Sequence, residues 1–222
     1  CTVVVSSNPG VVCSRFAFVV GSSPTVGSMS AVLEPFTLTP VLSARPWGGR
    51  RLEDYGKVLP EGALIGESWE VADLPDHVAP YLDDPRSRVA SGPLTGLSLA
   101  EVISDHGDDL LGPIPPTDEG RFPLLVKLLD AREHLSVQVH PHEGYVAEHP
   151  QARLKSECWY VVEAKLGAVM FHGFKPGLNY QQIASKIGTP EVVGTLRAVR
   201  PEPGSFHTVP PGLVHALGAG LM

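Results

Sequence analysis

The sequence contains little cysteine, no basic stripe and no apolar run long enough to cross a bilayer. Its three cysteines, Cys1, Cys13 and Cys158, are odd in number and show no Cys-x-x-Cys spacing, so they support neither a thiolate zinc site nor a disulfide framework. A cytoplasmic location is therefore expected. The formal net charge of −7 and the missing basic stripe argue against a nucleic-acid partner, and the short apolar runs argue against a membrane span.

The composition that remains is typical of a globular β protein rich in turns. Hydrophobic residues make up 43% of the 222 positions, which is enough to bury a core in one or two domains. The chain also has 23 glycines and 22 prolines, and pairs of them divide it into many short segments. This pattern favours short strands joined by turns over a helical bundle.

The first 28 residues differ from the rest of the chain. They are rich in valine, serine and glycine, carry Arg15 as their one charge, and precede Met29. We interpret residues 1–28 as a leader or tag without ordered structure and residues 29–222 as the folded domain. The alternative of a signal peptide is weaker, because the apolar run at residues 16–20 is short for the hydrophobic region of such a peptide.

Local patterns predict a series of strands with a few helices. Ser98 and Glu101 have the spacing of a capping box, and the apolar residues that follow fall on one side of a helix over residues 99–111. The stretch from Arg45 to Gly49 is predicted to be a turn. Strands are predicted at residues 36–42, 68–71, 122–129, 135–140, 157–162 and 168–171, short helices at 143–148 and 180–187, and a strand, turn and strand at 204–221.

One charged side chain falls inside an apolar strand. Lys127 interrupts the apolar run at residues 122–129. Because burying an unpaired ammonium group is costly, this lysine is expected either to reach solvent or to have a negatively charged partner.

Four separated residues have the chemistry of a metal site. On a strand over residues 135–140, Gln138 and His140 would point to one face and the apolar residues to the other. Glu157 opens a second β-rich run, and His215 follows a Pro-Pro-Gly turn. Two imidazoles, a carboxylate and an amide oxygen suit zinc, and also iron or manganese.

The motifs resemble those of type I phosphomannose isomerase, a cupin that holds one zinc ion. The resemblance covers nearly all of residues 40–221. It rests on Ala44-Arg-Pro-Trp-Gly-Gly49, Gly66-Glu-Ser-Trp-Glu70, Phe122-Pro-Leu-Leu-Val-Lys-Leu-Leu-Asp-Ala131, Leu135-Ser-Val-Gln-Val-His-Pro141, Lys155-Ser-Glu-Cys-Trp159 and Val209-Pro-Pro-Gly-Leu-Val-His-Ala216. It implies a mainly β fold, a cupin-type jelly-roll β-barrel with short helical insertions near residues 98–112 and 179–195.

The resemblance also implies a function and a set of site residues. The implied reaction is the interconversion of mannose 6-phosphate and fructose 6-phosphate, with a proton moving between C1 and C2. The implied zinc ligands are Gln138, His140, Glu157 and His215. Lys155 matches a lysine beside the metal and is the catalytic candidate. Ser136 and Lys127 match positions that line the substrate pocket, and Trp47, Glu67 and Trp69 match its outer rim.

The chain departs from the family pattern in two places. His142 and Glu143 follow Pro141, where the family usually has aspartate next. The chain also stops at Met222, before the positions of an acidic residue and an arginine that the family places near the sugar, so the catalytic domain is expected to be truncated. Two alternatives stay open: a cupin that binds a sugar phosphate without catalysis, and a metal-dependent cupin oxygenase.

Overall fold

The structure is a computed structural model that describes Thr2–Val4 and residues 33–222. Three helices are present in these residues, α1 (Leu99–Leu111), α2 (Glu143–Glu148) and α3 (Tyr180–Ala184), with 3₁₀ turns at Arg51–Tyr55, Asp76–Val78 and Pro190–Thr195. The strands are β1 (Thr2–Val4), β2 (Leu38–Thr39), β3 (Val41–Gly49), β4 (Ile65–Val71), β5 (Arg88–Val89), β6 (Leu125–Leu129), β7 (Glu157–Tyr160), β8 (Met170–Phe174), β9 (Leu196–Val199), β10 (Phe206–Val209) and β11 (His215–Leu217).

These strands form three sheets. The largest has the order β10-β7-β1-β6-β4-β3, and the second has the order β11-β8-β9. A two-stranded ribbon pairs β2 with β5. Strand β1 runs parallel to β6 and β7, whereas the other pairs in these sheets are antiparallel. Apart from Thr2–Val4, the predicted leader at residues 1–28 lies outside the described residues and stays a prediction.

The two larger sheets share one hydrophobic core. Leu129 and Trp159 come from the six-stranded sheet, and Met170 comes from the three-stranded sheet. A second core packs Leu99 and Val102 of α1 against neighbouring strands. The mainly β class with short helical insertions is thus confirmed. None of the helices among the described residues is long and apolar enough to cross a membrane.

The predicted helices form where local signals are strong. Helix α1 has the predicted bounds, and both hydrogen bonds of the Ser98–Glu101 capping box are made. Helix α2 also has the predicted bounds, with the His142 side chain accepting a hydrogen bond from the backbone of Tyr145. Helix α3 ends at Ala184, three residues earlier than predicted.

Two predictions of local structure are wrong. The segment Arg45–Gly49 is the end of β3 and not a free turn; both Ala44 and Gly49 are paired with Ile65, so the residues between them form a bulge. Residues 135–140 form no regular strand. Among the described residues their one bridge joins Gln138 to His215, and Val139 is 60% exposed.

Several predicted strands differ in their bounds, among them the strand at 68–71, which begins at Ile65. The strand at 36–42 is divided between β2 and β3, and the strand at 122–129 begins at Leu125. The strand at 157–162 ends at Tyr160, and the strand at 168–171 is shifted to Met170–Phe174. Such ends depend on where a partner strand begins and ends, which a single segment of sequence does not specify.

Candidate metal centre and substrate cavity

A cavity of about 420 Å³ opens between the six-stranded sheet and β11. Strands β4, β6 and β7 form one wall through alternate side chains that point to the same face. The bulge of β3 and the loop at residues 74–81 form its rim. The sequence-predicted residues that line it are Lys127, Ser136, Gln138, Lys155, Glu157 and His215, with Trp47, Glu67 and Trp69.

Two histidines and one carboxylate come together at the edge of this cavity; Glu157 and His215 line it, and His140 lies beside them without being one of its lining residues. His140 Nε2 lies 3.2 Å from Glu157 Oε1, and His215 Nε2 lies 3.7 Å from Glu157 Oε2. One ligand atom from each of the three residues lies within 4.8 Å of the other two. Such a spacing allows a single ion to contact all three atoms at about 2.0–2.2 Å, the bond lengths typical of zinc with nitrogen and oxygen ligands.

The orientation of His215 fits a metal ligand. Its Nδ1 is 2.8 Å from the carbonyl oxygen of Leu213, and an oxygen that can only accept fixes the proton on Nδ1. Nε2 then carries a lone pair. That atom is buried and has no hydrogen-bond partner among the described residues, although it faces Glu157. A buried acceptor that lacks a donor is costly, and a bound cation would satisfy it.

The electrostatics of the three groups also favour a metal ion. Burial lowers the pKa of both His140 and His215, and the charge of Lys155 adds to this effect. Burial acts to raise the pKa of Glu157, but Lys155, Lys127 and His140 outweigh it, so that this pKa is lowered. Neutral imidazoles and an ionised carboxylate are the forms that bind metal.

Gln138 lies beside the three groups. It exchanges two backbone hydrogen bonds with His215, of 2.9 and 2.8 Å, and it lines the cavity. Residues paired in this way have Cβ atoms about 5 Å apart, which places the Gln138 side chain next to the imidazole of His215. Its part in a metal site stays a prediction, as do the roles assigned to the other site residues.

Two lysines reach the cavity, and each has a carboxylate partner. Lys155 Nζ lies 2.7 Å from Glu157 Oε1. Lys127 Nζ lies 3.5 Å from Glu67 Oε1, and its side chain is only 14% exposed. The sequence-based expectation that Lys127 needs either an anion or a route to solvent is therefore met by Glu67.

Sequence reasoning missed two residues at the rim, Arg45 and Tyr81. Both line the cavity, and the Arg45 guanidinium lies 4.2 Å over the centre of the Tyr81 ring. Arg45 belongs to the motif Ala44–Gly49, which also contains the predicted rim residue Trp47, so its position in the sequence could have indicated a place at the rim. Tyr81 lies in an irregular loop, and no local pattern indicates that it folds back against β3.

Two imidazoles and a carboxylate that could hold a metal ion, at the edge of a cavity in a mainly β fold, are typical of the cupin class of proteins. Residues 36–168 match the family model for the catalytic domain of type I phosphomannose isomerase. The chain belongs to this family.

Relatives and a solved structure agree with this family. Mannose-6-phosphate isomerase ManA of Bacillus subtilis is 36% identical over 190 residues, or 85% of this chain and 56% of the relative. A mannose-6-phosphate isomerase of Streptococcus mutans is 34% identical over the same shares. A crystal structure of the Bacillus subtilis isomerase has a TM-score of 0.70 and 34% identity, covering 83% of this chain and 55% of that one. The cupin-type fold is thereby confirmed, and the chain spans just over half the length of these relatives.

Proposed function

We propose that this chain carries the metal-binding part of a zinc-dependent mannose-6-phosphate isomerase, which interconverts mannose 6-phosphate and fructose 6-phosphate. The observation that carries the proposal is one cavity that joins the His140–Glu157–His215 cluster to two lysines and a serine at the positions implied by the family motifs. The names of the relatives from Bacillus subtilis and Streptococcus mutans support the substrate.

Gln138, His140, Glu157 and His215 would hold the ion. The unsatisfied Nε2 of His215 and the lowered pKa values of the two imidazoles and the carboxylate support this ligand set. When bound, zinc would supply a Lewis acid that polarises a sugar oxygen and stabilises the negative charge formed during isomerisation. Nitrogen and oxygen ligands without thiolate also suit iron and manganese, so the identity of the metal belongs to the proposal.

The remaining residues would bind the sugar and move its proton. Isomerisation transfers a proton between C2 and C1, which needs a group within hydrogen-bond reach of both carbons. Lys155 is the candidate, because its ammonium group contacts Glu157 at the edge of the cluster and faces the cavity. Lys127 and Ser136 would bind polar groups of the substrate from the same wall.

A coupled assay for fructose 6-phosphate formation from mannose 6-phosphate tests the proposal on the zinc-loaded chain. We expect turnover that is lost in His140→Ala, together with loss of bound zinc. His149→Ala is the matched control, since this exposed histidine directly follows α2 and does not line the cavity. In Lys155→Met, zinc should stay bound while kcat falls about 10²- to 10⁴-fold, the usual contribution of a proton-transferring group.

The outcomes separate the alternatives. If the chain binds zinc stoichiometrically and binds sugar phosphate but shows no turnover, this chain is not an isomerase by itself. That result would favour a binding module. Turnover that is equal in His140→Ala would contradict the metal site. The cytoplasmic location, and the expectation that the protein binds neither nucleic acid nor a membrane, stay predictions from composition.

A further inference from the structure

Arg45 occupies an unusual place at the rim of the cavity. It lies in the bulge of β3, and its side chain is 23% exposed. The guanidinium lies over the ring of Tyr81 and donates a hydrogen bond to the hydroxyl group of that tyrosine. Its Nε lies 3.6 Å from Glu67 Oε1. Two contacts on different elements therefore fix its direction.

The backbone beneath Arg45 is shaped to hold it there. A Cβ atom on Gly66 of β4 would lie 2.7 Å from Cβ of Arg45 and 2.6 Å from the Trp47 ring. Because residue 66 is glycine, both side chains can lie directly across β4. The bulge and the glycine together direct Arg45 over the sheet, where it lines the cavity.

Among the residues that the structure describes, the charges around Glu67 leave one cation in excess. Lys127 Nζ and Arg45 Nε lie 3.5 and 3.6 Å from the same oxygen, Oε1 of Glu67. The other oxygen accepts a hydrogen bond of 2.6 Å from the Trp69 indole. One carboxylate is thus shared by two cations, although Lys127 alone would balance its charge. The surplus positive charge is held against the cavity, where burial strengthens its attraction for an anion.

The geometry of the two cations suits a phosphate group. Two cations that contact one carboxylate oxygen are close enough for a single phosphate to bridge them. A guanidinium has five N–H donors; the hydrogen bond to Tyr81 uses one of them, and the contact with Glu67 at 3.6 Å is an ion pair without a hydrogen bond. Arginine also binds phosphate through two parallel hydrogen bonds, which a lysine cannot do.

We propose that Arg45, together with Lys127, binds the phosphate group of the sugar phosphate and makes the site selective for phosphorylated sugars. This inference rests on the proposed function, because that function supplies the substrate. Tyr81 and Glu67 act as positioning residues: the ring of Tyr81 supports the guanidinium, and Glu67 holds the two cations side by side.

Isothermal titration calorimetry on the folded chain tests the inference without requiring turnover. Mannose 6-phosphate and mannose are titrated into the wild type, Arg45→Met, Arg45→Lys and the control Arg200→Met, which alters an exposed arginine outside the cavity lining. We expect Arg45→Met to raise the Kd of mannose 6-phosphate about 10- to 100-fold, the loss typical of one charged hydrogen-bonding group. Arg45→Lys should show a smaller rise, and Arg200→Met none.

Unphosphorylated mannose should bind the wild type and Arg45→Met equally. In the coupled assay, Arg45→Met should raise KM by a similar factor and change kcat by less than about 3-fold, because the contact is made equally in the ground and transition states. If Arg45 had only a structural role, Arg45→Met would lower the melting temperature and kcat and would weaken the binding of both sugars alike.

The outcomes for this inference and for the proposed function are distinct. If Arg45→Met binds mannose 6-phosphate more weakly than the wild type, the phosphate contact is supported, even when no isomerisation is detected. The lack of isomerisation would then count only against the proposed reaction. Turnover by the wild type with an unchanged Kd and KM in Arg45→Met would overturn the phosphate contact and leave the isomerase intact. No binding of mannose 6-phosphate by the wild type would also overturn it.

Discussion

Buried charged side chains on β4 show how single residues are stabilised in this fold. Glu67 faces the cavity, where it is 5% exposed and contacts Lys127. Glu70 lies on the opposite face and is 3% exposed. Its carboxylate oxygens accept hydrogen bonds from Lys57 and Ser68. The sequence indicated that Lys127 needs a partner or a way to solvent, because the cost of a buried charge is a general rule. It gave no means of choosing Glu67, which is 60 positions away in the chain.

Breaking the ion pair of Lys57 and Glu70 should destabilise the protein strongly. Lys57 Nζ lies 2.6 Å from Glu70 Oε2, and both side chains are 3% exposed. Lys57→Met leaves a buried carboxylate without its cation, so we expect the free energy of unfolding to fall by about 3–5 kcal/mol. Urea denaturation measures this change.

Two further variants make that measurement specific. Lys57→Met combined with Glu70→Met should recover most of the loss, since no charge then remains buried. Lys165→Met alters an exposed lysine and should change stability by less than about 0.5 kcal/mol. An equal loss in the single and double variants would show that packing, and not charge, accounts for the effect.

Asp84 should contribute to the dependence of stability on pH. Burial acts to raise its pKa, but hydrogen bonds from Arg88 and Arg86 outweigh burial and lower it. A carboxyl group whose pKa is lower in the folded state stabilises the protein above its unfolded pKa of about 3.9, and this stability is lost as pH falls through the folded pKa.

The measurement is the free energy of unfolding of the wild type and Asp84→Asn between pH 6 and pH 2.5. The wild type should be the more stable protein at pH 6, and the difference should shrink as pH falls below about 4. Asp118→Asn, which alters an exposed carboxylate, is the matched control. A difference that stays constant over this range would refute the linkage to Asp84.

At the scale of elements, helices were easier to predict than strand ends. Helix α1 has the predicted bounds because its capping box and apolar side are local features. The bulge of β3 was missed because it depends on contact with β4, where Ala44 and Gly49 both pair with Ile65. The same sequence of proline and glycines is compatible with a turn or with a bulge, and the neighbouring strand decides between them.

Gly48 should be required for the close approach of β3 and β4. A Cβ atom at this position would lie 2.4 Å from the backbone nitrogen of Gly66, and a backbone atom cannot move aside as a flexible side chain can. We expect Gly48→Ala to lower the free energy of unfolding by about 1–3 kcal/mol, as overpacking does.

A second glycine tests the specificity of this effect. Gly194 lies in a 3₁₀ turn with open space around its would-be Cβ atom and no positive φ angle. Gly194→Ala should therefore be neutral within about 0.5 kcal/mol in the same denaturation experiment. Equal effects of the two substitutions would contradict the close packing at Gly48.

At the scale of the whole molecule, the metal cluster joins parts of the chain that are distant in sequence. His140 lies in an irregular segment, Glu157 begins β7 of the large sheet, and His215 begins β11 of the second sheet. A bound ion would therefore connect the two sheets that share the main core. Because the cluster is assembled only when these sheets pack, ion binding should favour the folded state over the unfolded chain.

Adding zinc should raise the melting temperature of the protein. At free zinc of 100 times Kd, the expected gain is about 2.7 kcal/mol if the unfolded chain does not bind the ion. Thermal denaturation followed by circular dichroism, with and without a chelator, measures the shift. The shift should vanish in His215→Ala and persist in His149→Ala; a persisting shift in His215→Ala would place zinc elsewhere.

The sequence by itself determined the mainly β class, helix α1 and the identity of the candidate ligands, because composition, capping and motif residues are local properties of the chain. The tertiary structure alone decided which carboxylate balances Lys127, that Arg45 and Tyr81 meet at the cavity, and that residues 135–140 pair through a single bridge. These features depend on which distant segments pack together. Local sequence constrains backbone conformation over a few residues, whereas burial and charge pairing are set by partners far along the chain.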